Sequence, residues 1–178
     1  MARIAVVGCG VVGSSWALVF ARAGLDVAVW DATPAAVQHT LAFVRDSVAS
    51  LAQQGLGGTE SADTVSARLH PCATLEEALA GVDYVQESAP ERLEIKQPLL
   101  AAIDAVLPSD VVIASSTSGL LASRLSEACR HPERVVIGHP FNPPHLIPLV
   151  EVVGGAKGSP EAIAAAMAFY RAIGKHPI

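Results

Sequence analysis

Late in the chain a histidine, an asparagine and a carboxylate stand close together: His139-Pro140-Phe141-Asn142-Pro143-Pro144, then Glu151 within Leu149-Val150-Glu151-Val152. A His oriented by a Glu can take a proton from an alcohol, the carboxylate fixing the tautomer and stabilising the imidazolium. The prolines make a rigid, extended segment that can hold the His and the Asn at set positions. Spacing alone makes this pairing available without establishing it. Far upstream, Gly8-Cys9-Gly10-Val11-Val12-Gly13 spaces its glycines as a dinucleotide-binding turn does. Gly8 would permit the tight turn, Gly10 the approach of backbone to a pyrophosphate, and Gly13 close packing of helix on strand. Asp31 is placed to accept from ribose hydroxyls. No Arg follows it in Ala32-Thr33-Pro34 to pair with a 2′-phosphate, which favours NAD over NADP. Together the motifs suggest hydride transfer between a nicotinamide and an alcohol carbon, coupled to proton transfer. FAD is the rival cofactor, because the same fingerprint serves flavins.

These residues need elements to carry them. Residues 4–7 read as a strand ending at the glycines, 12–23 as a helix stopped by Gly24, and 27–30 as a second strand closed by Asp31. That is a βαβ unit, its strands apolar on both sides as in a parallel sheet covered by helices. Thr33-Pro34 opens a helix with Thr33 as its cap, running to about Gln54 before Gly55-Leu56-Gly57-Gly58. Thr74-Leu75-Glu76-Glu77 resembles a capping box ahead of a short helix. Strands are expected at 84–87, 111–114, 135–138 and 149–153. Helices are expected at 93–107, at 120–129, and from Ser159-Pro160-Glu161 to near Gly174. Lys175-His176-Pro177-Ile178 looks like the start of another element, so the chain reads as the front part of a longer protein.

His139 would follow a strand, where open α/β sheets place their ligands. Ser115-Ser116-Thr117-Ser118-Gly119 follows another, and its hydroxyls fit a substrate or cofactor contact no better than ordinary helix capping. Glu91 and Lys96 suit a surface ion pair as well as a cofactor role. His70, His131, His145 and His176 share no ligand spacing and read as structural; Cys9 fits the turn by being small.

Composition narrows the classes. In 178 residues, 51% are apolar and 16% charged, enough for one domain with a large buried sheet. A net charge of −5 leaves no footprint for nucleic acid. No apolar run reaches membrane-spanning length. Cys9, Cys72 and Cys129 are odd in number and far apart, without metal spacing, which makes a reducing cytoplasm the default.

At this point the residues resemble the NAD-binding domain of the 3-hydroxyacyl-CoA dehydrogenase superfamily. The resemblance covers essentially all of residues 1–178. It runs through the glycine turn, Asp31, Glu87-Ser88-Ala89-Pro90-Glu91, Lys96, residues 115–118, and His139 to Glu151. It implies an α/β fold, a doubly wound, mostly parallel sheet of Rossmann type, with NAD as cofactor. His139 would be the general base oriented by Glu151, with Ser118 and Asn142 at the substrate's reacting oxygen or carbonyl. Gly8, Gly10, Val11, Val12, Gly13 and Asp31 would hold the dinucleotide. Ser88, Ala89, Glu91, Lys96 and Ser116 would line the nicotinamide side. The family's second domain is helical, completes the cleft and forms a homodimer; it would lie outside this chain.

Within that superfamily, Gln86-Glu87-Ser88, Pro90-Glu91-Arg92 and the His139-Pro140 and Pro143-Pro144 pairs look like the subgroup acting on small hydroxy acids. That subgroup includes L-gulonate 3-dehydrogenase, lambda-crystallin and carnitine dehydrogenase. Acyl-CoA enzymes of the family carry a Lys-rich hairpin after the second strand, whereas residues 34–70 here contain no Lys and only Arg45 and Arg68. A multiply anionic carrier calls for several cations. The expectation is therefore oxidation of the 3-hydroxyl of an L-gulonate- or carnitine-like acid. An acyl-CoA substrate is the alternative. A non-catalytic dinucleotide-binding structural or sensor protein is the alternative of another class, against which the intact His139 and Glu151 argue.

Overall fold

The computed structural model describes residues 2–56 and 58–178; Gly57, in the expected turn after the second helix, lies outside the described residues. β1 (Arg3–Val7), α1 (Val11–Arg22) and β2 (Asp26–Trp30) form the first βαβ unit, followed by α2 (Pro34–Gln53) and a short α3 (Ala62–Ser66). β3 (Leu69–Pro71), α4 (Leu75–Leu79), β4 (Tyr84–Glu87), α5 (Leu93–Val106) and β5 (Val112–Ser115) come next. The chain finishes with α6 (Ala122–Leu125), β6 (Val135–Pro140), β7 (Leu149–Gly154), α7 (Pro160–Ala172) and β8 (His176–Pro177).

The strands lie in the order β3-β2-β1-β4-β5-β6-β7-β8. The first six are parallel; β7 runs antiparallel to β6, and β8 parallel to β7. The winding therefore reverses between β1 and β4, which opens a crevice at the carboxyl ends of those two strands. β1 alternates between two cores. Ile4 and Val6 pack with α1, α2 and α7, while Ala5 and Val7 pack with α5 and α6. Few aromatics occur in this chain, and several gather on the first face: Trp16 stacks on Phe20 and Tyr170, and Tyr84 on Phe169. Burying each large apolar side chain stabilises the fold by roughly 1.5–3 kcal/mol.

The expected capping box forms in a shifted version. Thr74 Oγ1 accepts from the Glu77 N–H, but Glu77 reaches the Ala73 N–H instead of that of Thr74. Thr33 sits at the cap of α2 without a side-chain bond, and the Thr33 N–H donates to Asp31 instead. The helix expected over 120–129 is only four residues long. Ser126 Oγ donates to the Ala122 carbonyl, and the Arg130 and His131 N–H groups are drawn out to Asp104. Asp104 also grips Arg134, whose guanidinium donates to its carboxylate at 2.7 and 2.9 Å. Burial opposes the charge on Asp104, but Arg134 and the two N–H donors hold its pKa below the ordinary value.

Candidate active site

The glycine turn links β1 to α1. Gly8 adopts φ +99°, and a Cβ there would meet Ser88 and Ala89 backbone atoms at 2.6–2.7 Å. A Cβ on Gly13 would overlap the Gly8 carbonyl oxygen. Gly10 differs, because a Cβ on it would meet nothing within 4 Å. The protein's own packing does not require that glycine, and the space over it stays open. Gly10 is also the N-cap of α1, without a side-chain cap or an acidic residue in the first turn. The first N–H groups of a twelve-residue helix therefore face an open cradle, as an anion requires. These residues fit a dinucleotide's pyrophosphate.

Asp31 has a second task that its position in sequence did not reveal. Its Oδ2 accepts from the Cys9 N–H and its Oδ1 from the Thr33 N–H, both at 2.7 Å. It thereby ties the glycine turn to the end of β2. A lone pair on each oxygen is left for a ribose hydroxyl. Burial pushes the Cys9 thiol up to about 12, so it stays protonated.

A cleft of about 370 Å³ opens from Gly10, Val11 and Val12 across Ser88 and Ala89 to His139, Pro140 and Asn142, with Glu91, Lys96, Ser116 and Ser118 along it. Four strand ends supply it: the turns after β1, β4, β5 and β6. The strand register explains the His–Glu pair. β6 and β7 run antiparallel with His139 directly opposite Glu151, and His139 Nδ1 lies 2.8 Å from Glu151 Oε2. A carboxylate only accepts, so Nδ1 carries a proton, and in the neutral imidazole Nε2 presents its lone pair.

Glu91 and Lys96 do pair, but not at the surface, because Lys96 is buried. Lys96 is 1% exposed and donates to Glu87 at 2.8 and 3.0 Å, while Glu91 lies 3.8 Å away. Glu87, wholly buried, also accepts from Ser115 Oγ and the Ala89 N–H. Glu91 instead gathers the loop after β5, accepting from Thr117 Oγ1, from Ser118 N–H and Oγ, and from the Gly119 N–H. Burial works against its charge, yet these donors and Lys96 keep its pKa below the usual value. Glu87 belongs to the stretch that carries the resemblance, but its sequence assigns it no role; only the pairing of β4 with β5 brings Ser115 to it.

A family model described as "3-hydroxyacyl-CoA dehydrogenase, NAD binding domain" matches residues 3–178. The chain belongs to that family. The cofactor of this domain is NAD. L-carnitine dehydrogenase of Pseudomonas putida is 48% identical over 174 residues, covering 98% of this chain and 53% of the relative. L-carnitine dehydrogenase of Streptomyces griseus is 47% identical over 176 residues, covering 99% of this chain and 51% of the relative. The crystal structure of 3-hydroxybutyryl-CoA dehydrogenase from Escherichia coli superposes with a TM-score of 0.93 at 30% identity, covering 99% of this chain and 37% of that one. The chain thus spans about half the length of the curated relatives it matches. The fold class, a Rossmann-type mostly parallel sheet, is as the sequence implied.

Proposed function

We propose that the whole protein oxidises the 3-hydroxyl of a small hydroxy acid of the L-carnitine type to a ketone, with NAD as oxidant. The observation that carries this reading is the His139–Glu151 pair, held across the β6–β7 ladder at the mouth of the cleft that the glycine turn begins. NAD, when bound, supplies the two-electron acceptor. The residues of this domain do the rest. Gly10, Val11, Val12 and Gly13 receive the pyrophosphate at the open N-terminus of α1, Gly8 makes the turn that brings them there with its own N–H held by the Trp30 carbonyl, and Asp31 accepts from the ribose. Ser88, Ala89, Glu91, Lys96 and Ser116 shape the nicotinamide side. His139 Nε2 takes the hydroxyl proton, and Glu151 stabilises the imidazolium that results; a positioned base contributes about 10²–10⁴-fold. Ser118 and Asn142 stand by the reacting oxygen. We place the protein in the cytoplasm, the default for three cysteines without pairing or metal spacing, and as a homodimer on the strength of the family resemblance.

Relatives near half identity carry the name L-carnitine dehydrogenase, whereas the 30% identical E. coli structure is a CoA-thioester enzyme. The Lys-free stretch of 34–70 points the same way. The test compares kcat/KM for L-carnitine, L-gulonate, 3-hydroxybutyrate and 3-hydroxybutyryl-CoA. A free acid should win; a clear win for the thioester overturns the substrate class.

A further inference from the structure

We propose that Ser88 donates a hydrogen bond into the cleft, its proton freed by a buried chain of side chains that begins at Tyr170, and that this proton selects an acceptor oxygen of the bound dinucleotide. The inference rests on reading the cleft as the NAD site. It follows from which atoms can donate. Tyr170, fully buried in α7, donates its hydroxyl to Gln86 Oε1 at 2.6 Å. Gln86 Nε2 faces the Gly138 carbonyl, which can only accept, so the amide orientation is fixed. The same Nε2 donates to Ser116 Oγ at 2.8 Å, and Trp16 Nε1, a donor only, reaches Ser116 Oγ at 3.2 Å. Both lone pairs of Ser116 Oγ are then filled. Its single proton must go to its remaining neighbour, Ser88 Oγ, at 2.8 Å. Ser88 Oγ thus accepts from Ser116, and its own proton has no partner among the described residues.

That proton has one useful direction. Ser88 lines the cleft beside the glycine turn, and the Cβ of Ser88 lies 3.3 Å from where a Cβ on Gly13 would stand. Lys96 and Ser118, further along the cleft, are already committed, to Glu87 and Glu91. The free Ser88 proton calls for an acceptor, as a phosphate oxygen or the carboxamide carbonyl of the nicotinamide provides. Gly138, whose carbonyl fixes Gln86, immediately precedes His139. A Cβ on Gly138 would collide with the Tyr170 hydroxyl, so the network and the strand bearing the base are built as one unit.

The test measures binding, by calorimetry with NADH and with ADP-ribose, alongside thermal unfolding. Ser88→Ala should weaken NADH at least twofold. A loss of about two- to twelvefold fits a neutral carbonyl acceptor and a larger one a phosphate. A carboxamide partner leaves ADP-ribose unaffected; a phosphate partner weakens both ligands. Ser116→Ala should split the other way. It orphans the Trp16 and Gln86 donors and lowers the melting temperature more than Ser88→Ala does, while NADH affinity falls less because Ser88 still donates. If Ser88→Ala binds both ligands within twofold of wild type, the donor role is wrong while the dinucleotide reading stands. If the wild type binds neither ligand, the dinucleotide reading fails and takes this inference with it.

Discussion

Replacing Lys96 by Met would remove the only cation among the described residues that pairs with Glu87, a buried carboxylate beneath the cleft. Glu87 and Lys96 are both essentially inaccessible, and the ammonium supplies two of the four hydrogen bonds that the carboxylate receives. Breaking a buried pair from one side costs about 3–5 kcal/mol, because the abandoned charge stays in place. Ser115 Oγ and the Ala89 N–H remain as donors, and hydrogen bonds to a charged group are worth about 1.5–3 kcal/mol each. The cost should therefore fall near the low end, about 3 kcal/mol. For a domain of this size that is a drop in Tm of roughly 6–12 °C. NADH affinity should fall as well, since Glu87 Oε1 fastens the Ala89 N–H in the turn that floors the cleft. Adding Glu87→Gln to Lys96→Met removes the stranded charge but keeps an acceptor, and should recover at least half of the lost stability. Calorimetric melting of the three proteins decides the matter. A Lys96→Met variant within 2 °C of wild type, or a double variant no better than the single, would refute the reasoning.

Gly10→Ala should cost under about 1 kcal/mol, the range of a changed N-cap, yet weaken NADH at least about tenfold by placing a methyl where the pyrophosphate lies. Gly13→Ala should do the opposite, costing roughly 1–3 kcal/mol or more of stability because its Cβ overlaps Gly8; equal effects at both positions would contradict the cradle. Lys175, which donates to the Pro144 and Ile147 carbonyls and lies over Trp16, has its pKa lowered by burial from 10.5 to about 8. Between those values the unfolded chain holds a proton that the folded chain has released, so this group makes stability rise with pH across that window and contributes no slope below it. Lys175→Met should remove that rise in Tm, and an unchanged slope would dismiss the assignment.

Much of this was legible in sequence because the signals are local. The glycine spacing, the apolar runs of β1, β2 and β4 and the proline-bounded helices were all visible. β3 gives no sequence signal: it is an edge strand of three residues with a proline, and only Leu69 is buried. α3 is equally silent, because five residues give too little periodicity. The 120–129 helix was overextended, since nothing in its own residues announces that Asp104 will claim the Arg130 and His131 N–H groups. In the site, His139 and Glu151 were readable as types, but their pairing depends on the β6–β7 register. Gln86 and Glu87 stand in the stretch that carries the resemblance, but their contacts, and Tyr170 altogether, give no sequence signal because the partners come from other elements.

The central claim is that His139 is the base of an NAD-linked alcohol oxidation. Its most direct test measures kcat for L-carnitine oxidation and the Kd for NADH side by side in wild type and His139→Gln. The account predicts a fall in kcat of about a hundredfold or more with the Kd within a few-fold of wild type. Near-wild-type turnover by His139→Gln would contradict it.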